Sequence, residues 1–304
     1  PVLTNLGLAV QAEGHVEEAL AAFQGALKLT PEDPNAYFNL ARALTDSGEH
    51  REAQQALRSC LALSPQDAEA YYDLGLSLLQ QKEAGATEEG VEAVRACVTL
   101  EPKDGKNWLA LGDGLAAQKR WEESASAYTR ACDLRPAHAP SWASLGNALE
   151  EQGSNADAET HWRKAIALAK ANDGGGAGAD GGGAGADGGG GVQASWYLNL
   201  ASMLRRADRM AEARTMYSSA LGVEPTSVDA YMGLGRCHAP PTDSQSEGAR
   251  RYLQGLRDTY GAALDLQPDH AGAYTALGEA MRMYGLQGGC DEVRACLRAG
   301  RHAR

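Results

Sequence analysis

Cysteine and histidine are the residues of this 304-residue chain that could ligate a metal or supply a nucleophile. The six cysteines and seven histidines are scattered, and no Cys-x2-Cys or His-x3-His spacing brings them into a metal-ligand pattern. The densest combination is Cys237 and His238 with Cys290, Cys296 and His302. No Ser or Cys nucleophile motif lies near any histidine. The sequence therefore predicts no metal site, no cofactor and no enzyme activity.

A glycine-rich segment from Asp173 to Gly191 is the second place where ligand chemistry could occur. Within it, Gly175–Asp180 and Gly182–Asp187 fit the start of a calcium-binding β-roll repeat, Gly-Gly-x-Gly-x-Asp. The β-roll needs a nine-residue period with an apolar residue two positions after each Asp, whereas this segment repeats every seven residues and has Gly182 or Gly189 there. No Gly-Lys-Ser/Thr follows, as a phosphate-binding loop requires. The composition favours a flexible linker.

Charge is unevenly distributed along the chain. The net charge is −12, with 15 basic and 26 acidic residues in 1–173 but 13 basic (all Arg) and 12 acidic residues in 193–304. This balance argues against general nucleic-acid binding, and no apolar run is long enough for a membrane span. The first residues, Pro1–Thr4, show no targeting signal, so we expect a cytoplasmic location, with a cilium or an organelle as alternatives.

Apolar and small residues recur with a period of 34 residues, as from Trp108-x2-Leu-Gly-x2-Leu to Trp142-x2-Leu-Gly-x2-Leu. We number each repeat so that Trp108 stands at position 4. The residues at this position are Leu3, Tyr37, Tyr71, Trp108, Trp142, Tyr197, Tyr231 and Tyr274. The apolar spacing in each repeat is typical of two successive amphipathic helices, here called helix A and helix B.

Small residues and prolines occupy fixed places in this pattern. Position 8 of helix A is Gly7, Ala41, Gly75, Gly112, Gly146, Ala201, Gly235 and Gly278, which predicts close approach of helix B. Turn glycines follow helix A at Gly14, Gly48, Gly153 and Gly285. Prolines 31, 65, 102, 136, 225 and 268 predict the end of helix B. Cys60 and Cys97 share a repeat position with small core residues, so we interpret them as core thiols.

These residues resemble the tetratricopeptide repeat family, whose signature is Trp-x2-Leu-Gly-x2-Tyr followed by Ala-x3-Phe and Pro. The resemblance implies an all-α, right-handed solenoid (superhelix) of about eight helix-turn-helix repeats that binds other proteins. We assign repeats one to five to residues 1–170, a low-complexity flexible insertion to 171–192, and repeats six to eight to 193–304. Repeat three has three extra residues, expected in the loop around 82–89, and repeat seven has a loop insertion at about 239–247.

Polar residues on helix A that the packing pattern does not require are candidates for partner binding. Position 6 is Asn5, Asn39, Asp73, Ala110, Ser144, Asn199, Gly233 and Ala276, and position 9 includes Arg42, Asp113, Asn147, Ser202, Arg236 and Glu279. The asparagines resemble those inside the repeat superhelix of O-linked GlcNAc transferase, where amides hold a client backbone. The predicted groove residues are Asn5, Asn39, Arg42, Asp73, Asp113, Asn147, Asn199 and Arg236.

The family's carboxylate clamp for chaperone C-termini does not fit the sequence. The clamp needs Lys and Asn, then Asn, then Lys and Arg on three successive A helices. Repeats one to three supply Thr4, Leu8, Asn39, Glu69 and Asp73, and repeats four to six supply Leu109, Asp113, Ser144, Ser195 and Asn199. Two acids stand where cations are required, so this mode of binding is not expected.

The sequence favours a non-catalytic scaffold or adaptor that binds an extended or helical segment of another protein in its concave groove. Two alternatives remain open at this stage: a substrate-recruiting region of a larger enzyme such as a glycosyltransferase, and a structural subunit of a large ciliary or organellar assembly. Because the N-terminal part is strongly acidic, we expect it to favour basic segments, with the partner's polarity running from basic to acidic along the groove.

Overall fold

The computed structural model describes residues 2–81, 84–174, 191–241 and 246–284, which form fifteen α-helices and no strand. The helices are α1 (Val2–Ala12), α2 (Val16–Leu29), α3 (Pro34–Asp46), α4 (His50–Leu63), α5 (Ala68–Gln80), α6 (Ala84–Leu100), α7 (Gly105–Ala117), α8 (Trp121–Leu134), α9 (Ala139–Glu151), α10 (Asn155–Gly174), α11 (Ala194–Arg206), α12 (Met210–Val223), α13 (Val228–Arg236), α14 (Glu247–Leu266) and α15 (Ala271–Tyr284). Within these ranges, no helix combines the length and the apolarity that crossing a membrane requires.

The helices belong to two compact units, Pro1–Ser154 and Asn155–Arg304. Unit 1 contains four A/B hairpins, α1–α2 to α7–α8, and then α9. In unit 2, α10 packs against α11, followed by the hairpins α11–α12 and α13–α14 and by α15. The alternation of A and B helices is confirmed. The boundary between the units lies inside repeat five, whereas the sequence places its break at the glycine-rich insertion.

Aspartates begin three of the A helices in unit 1. The side chain of Asp33 accepts hydrogen bonds from the backbone N–H groups at the start of α3, Asp67 from Ala70 in α5, and Asp104 from Lys106 in α7. Each cap satisfies a donor that has no partner within the helix. A proline stands two residues after the last residue of α2, α4, α6, α8, α12 and α14. Because proline cannot continue a helix, the chain turns into the next A helix at this point.

Glycine at position 8 lets helix B approach helix A closely. An added Cβ at Gly7 would lie 2.5 Å from the Phe23 ring, and one at Gly112 would overlap the Tyr128 ring. Gly235 faces Tyr260 in the same way. The predicted role of the small residues is therefore confirmed in these repeats.

The turn between helices A and B needs one residue with positive φ. Gly14, Gly48 and Gly153 have φ of 83–84°, as predicted. In repeats four and six the same position holds Lys119 and Asp208, with φ of 59° and 60°. Both are held in a conformation that L-residues with a Cβ adopt at a cost. The predicted turn residue Gly285 lies outside the described residues.

Four helices, α6, α10, α13 and α14, differ in length from the 34-residue pattern. The expectation of a longer loop in repeat three is wrong: α6 has 17 residues where α4 and α8 have 14, so the extra residues form part of the helix. The three extra residues lengthen α6 by about one helical turn. Helix α10 continues through Gly174, so the first residues assigned to the insertion are helical, while 175–190 lie outside the described residues. Helix α13 has 9 residues and α14 has 20.

Candidate functional site

One face of each A helix carries the candidate residues. Positions 2, 6 and 9 are separated by four and three residues, so they share this face. Neighbouring A helices are in contact within each unit, for example α5 with α7 and α11 with α13. Several of the side chains at these positions line cavities in unit 1 and in unit 2. We call this A-helix face of each unit the unit 1 groove and the unit 2 groove.

In the unit 1 groove, residues of α3, α5, α6, α7 and the loop between α6 and α7 surround a cavity of about 300 Å³. Its polar lining consists of Arg42, Glu69, Tyr72, Asp73, Glu101, Asp104, Lys106 and Asn107. Four carboxylates thus face two cations. A neighbouring cavity of about 240 Å³ shares Arg42 and Asp73. The structure brings these two predicted residues together, and Asn39 lies half-buried on α3 without lining either cavity.

Asp73 is the most perturbed carboxyl group of the unit 1 groove. Burial raises its pKa to about 6, Arg42 opposes the shift, and the charges of Glu69 and Asp67 add to it. Arg42 itself is exposed and lies over the Phe38 ring, with Cζ 6.0 Å from the ring centroid. A cation arriving from a partner would therefore relieve the unfavourable ionisation of Asp73.

Asp113 takes part in a contact within its own repeat. The Tyr128 hydroxyl group donates a 2.7 Å hydrogen bond to Asp113 Oδ1. Desolvation by the surrounding protein raises the pKa of Asp113, and the hydrogen bond from Tyr128 opposes this shift. Asp113 as a residue is exposed on the A-helix face, so it combines this structural contact with a position at the surface.

The remaining unit 1 candidates lie apart from the cavities. Asn5 is exposed on α1 and Asn147 is exposed on α9. Neither lines a described cavity of the groove. Their roles in binding stay predictions.

The unit 2 groove has a different chemistry. Its cavity, also about 300 Å³, lies between α11 and α13 and reaches His270. The structure brings together the predicted residues Asn199 and Arg236 in this cavity, and adds Ser202, Arg205, Tyr217 and Asp229. The Ser202 and Tyr217 hydroxyl groups are 3.1 Å apart and hydrogen-bonded.

Sequence reasoning missed the groove residues at positions 2 and 12. Glu69, Lys106 and Asp229 stand at position 2, and Arg205 stands at position 12, three residues after Ser202. Helical periodicity places all of these on the same face as positions 6 and 9. A prediction that had included the helical turn before position 6 and the turn after position 9 would have found these residues.

The described cysteines are buried in the core. Cys60, Cys97, Cys132 and Cys237 are free thiols with 2% exposure or less. Burial raises the pKa of Cys60 to about 11 and that of Cys97 to about 12, which supports their interpretation as core residues. Among the described residues, no group of three or more His, Cys, Asp and Glu side chains could hold a metal. Cys290, Cys296 and His302 lie outside the described residues.

A larger cleft of about 710 Å³ lies next to the loop between α6 and α7 and shares Glu101, Asp104 and Lys106 with the cavity of the unit 1 groove. Leu100 and Leu134 form part of its wall. It contains none of the predicted site residues.

The B helices carry a recurring series of ion pairs between successive repeats. Arg58 of α4 pairs with Glu89 of α6 at 2.8 Å. Arg95 of α6 and Glu123 of α8 are 3.7 Å apart, and in unit 2 Arg163 of α10 and Glu212 of α12 are 2.9 Å apart. When the three extra residues of repeat three are left out of the count, each pair joins position 25 of one repeat to position 19 of the next. We call these pairs the B-helix ladder.

Comparisons with known proteins agree with this architecture. Sequence profiles described as tetratricopeptide repeat match residues 11–74, 109–175 and 198–240. The chain belongs to the tetratricopeptide repeat family. Among curated protein sequences, none matches it.

Solved structures of similar fold include MamA and PilF. MamA from Desulfovibrio magneticus RS-1 (residue 41 to the end) is 23% identical, with a TM-score of 0.53 over 57% of this chain and 96% of that chain. PilF of Pseudomonas aeruginosa is 18% identical, with a TM-score of 0.56 over 75% of this chain and 93% of that chain. At these identities, the likeness is one of fold.

Proposed function

We propose that the protein is a non-catalytic interaction scaffold, and that the groove of each unit binds a segment of another protein. The observation that carries this proposal is the placement of charged and amide side chains on the A-helix face, where they line cavities of about 300 Å³ in both units. Repeat arrays present such surfaces to extended or helical partner segments. The grooves are therefore the surfaces best suited to binding.

The unit 1 groove is suited to a basic segment. Its cavity has four carboxylates and two cations, and the ionisation of Asp73 is unfavourable in the unbound protein. A Lys or Arg side chain of the partner would compensate this charge. Asn39 lies on the same helix face and offers a donor and an acceptor to a partner backbone.

A scaffold role without catalysis is supported by the chemistry of the described side chains. A nucleophilic cysteine needs thiolate character and access, whereas the described thiols are buried and the pKa of Cys60 and Cys97 is raised. The grooves themselves contain ordinary partner-binding groups: amides, guanidinium groups and carboxylates.

Site-specific photo-crosslinking tests the proposal. A photoreactive amino acid is placed at Asn39 or Asn199 in the grooves, and at Ser126 of α8 or Thr215 of α12 as controls on exposed B-helix surfaces. We expect partner crosslinks from the groove positions and none from the controls. The opposite pattern would place binding on the B helices and contradict the proposal.

The stoichiometry of the crosslinked partners separates two forms of scaffold. A varied set of partners indicates an adaptor, whereas one constant partner at fixed ratio indicates a subunit of a permanent assembly.

A further inference from the structure

The unit 2 groove contains two arginines that form no ion pair within the described part of the chain. Arg205 lies in the last turn of α11 and Arg236 is the last residue of α13, and both line the same cavity. Asp229 is the one carboxylate among the residues that line it. The cavity therefore has an excess of positive charge.

Arg205 is incompletely satisfied. Its side chain is half-buried, and its Nε–H is buried with no acceptor among the described residues. A buried donor without an acceptor is unfavourable, and such groups are uncommon in folded proteins. This atom marks a place where an incoming acceptor would improve the local hydrogen bonding.

The other walls of the cavity add neutral donors. His270 Nδ1 accepts the backbone N–H of Ala273 at 3.0 Å, so the proton of the neutral ring is on Nε2. The Ser202–Tyr217 pair forms a second polar edge. The Tyr217 ring packs directly against Gly233, where an added Cβ would overlap the ring.

We propose that this cavity binds the carboxylate of an Asp or Glu side chain in the partner segment, with Arg205 and Arg236 as its two cationic ligands. The proposal rests on the proposed function and specifies the partner chemistry of the unit 2 groove. Two guanidinium groups and neutral N–H and O–H donors match the planar, acceptor-only carboxylate. The cavity of about 300 Å³ is sized for one side chain and its backbone.

Selection from a random peptide library on the full chain tests this assignment. The peptides are displayed with their C termini fused to the carrier, so that internal residues supply the anions. We expect wild-type protein to enrich peptides with Asp or Glu at one fixed position, and the Arg205→Gln/Arg236→Gln variant to lose that preference.

A double-mutant cycle with one enriched peptide then tests whether the acidic residue of that peptide contacts Arg205. Replacement of the peptide Glu by Gln should weaken binding to wild-type protein by at least about tenfold. The same replacement should have little effect on binding to the Arg205→Gln chain. Arg206→Gln, on the same helix but outside the cavity lining, is the matched control and should preserve the tenfold difference.

Asp229→Asn provides a test that loss of folding cannot imitate. Because Asp229 repels an incoming carboxylate, its neutralisation should tighten binding of the acidic peptide at least about twofold. Unchanged or weaker binding in this variant, with an intact thermal unfolding transition, would count against the carboxylate pocket.

The remaining outcomes are distinguishable. Enriched peptides without an acid, or acid-dependent binding that Arg205→Gln leaves intact, would overturn the pocket but leave the groove scaffold. Two synthetic peptides test the assignment to an Asp or Glu side chain: one has its C-terminal carboxylate as its sole anion, and the other has a phosphoserine. Tighter binding of either one than of the Glu peptide would overturn that assignment. Failure of wild-type protein to enrich any peptide would overturn the proposed function as well.

Discussion

The hydroxyl group of Tyr128 donates a 2.7 Å hydrogen bond to Oδ1 of Asp113, and so connects the packed core of repeat four to its groove face. Tyr128 is 4% exposed and lies against Gly112, whose lack of a side chain lets the ring pass beneath helix A. Repeat six has the same geometry, with the Tyr217 hydroxyl 3.1 Å from Ser202 Oγ. In both repeats, the side chain at position 24 of helix B is therefore hydrogen-bonded to the side chain at position 9 of helix A.

Replacement of these tyrosines by Phe should have unequal effects. Tyr128→Phe removes a charge-assisted hydrogen bond and should lower the free energy of unfolding by about 1.5–3 kcal/mol, at the lower end because Asp113 remains hydrated. Tyr217→Phe removes a neutral one and should cost about 0.5–1.5 kcal/mol. Urea denaturation at pH 7 measures both. Equal losses would show that the Asp113 contact is not charge-assisted.

The stability of the chain should depend on the ionisation of Asp73. Burial raises its pKa in the folded protein to about 6, well above the ordinary value of an aspartate. The folded state therefore holds the proton more tightly, and this contribution to stability is lost as pH rises from about 4 to 6. Asp73→Asn should raise the free energy of unfolding at pH 7.5 by about 1–2 kcal/mol and have little effect near pH 4.

Glu13→Gln is the control for this pH dependence, because Glu13 is exposed after α1 and lies outside the cavity that Asp73 lines. It should change the free energy of unfolding by less than about 0.5 kcal/mol at either pH. An equal benefit of Asp73→Asn at pH 4 and pH 7.5 would mean that ionisation is not the cause.

The turn residues with positive φ offer a test of backbone strain. Lys119→Gly should raise the free energy of unfolding by about 0.5–1 kcal/mol, because Gly adopts this conformation without a Cβ penalty. Asp208→Gly should gain less, since Asp tolerates the left-handed region better than Lys. Gly48→Ala, where an added Cβ meets no atom within 4 Å, should destabilise through φ alone. Thermal unfolding that fails to rank the variants in this order would contradict the strain account.

The B-helix ladder should contribute modestly and in a salt-dependent way. A double-mutant cycle on Arg58 and Glu89 should give a coupling of about 0.2–1 kcal/mol, because both side chains are exposed. The coupling between Arg163 and Glu212 should be larger, since Glu159 joins the network through its contact with Arg163. Both couplings should fall in high salt. A coupling that is unaffected by salt would point to packing instead of charge.

The repeat period predicted the helices well because each packing position recurs with the same neighbours. Gly112 and Tyr128 illustrate this, since their residue types alone indicate a close helix contact. The period could not locate the extra residues of repeat three, because it counts residues without saying whether they enter a loop or lengthen α6.

The candidate site was only partly predictable. Arg42, Asp73, Asn199 and Arg236 line cavities as the helix face implies. Arg205 was missed because the face was examined at two positions only. The Tyr128 hydroxyl was missed because its repeat position identifies the ring as core and says nothing about the direction of the O–H group.

Two double variants test the central claim, that the A-helix grooves bind the partner. Asn39→Ala/Arg42→Ala alters the unit 1 groove, and Asn199→Ala/Arg236→Ala alters the unit 2 groove. The measurement compares the Kd of a crosslink-identified partner with the melting temperature of each variant. Arg51→Ala/Arg250→Ala, on exposed surfaces of α4 and α14, is the control for loss of charge.

The account predicts that at least one groove variant binds the partner at least about tenfold more weakly, while its melting temperature stays within about 2 °C of wild type. The control should keep wild-type affinity. Wild-type affinity in both groove variants, or an equal loss in the control, would contradict binding in the grooves.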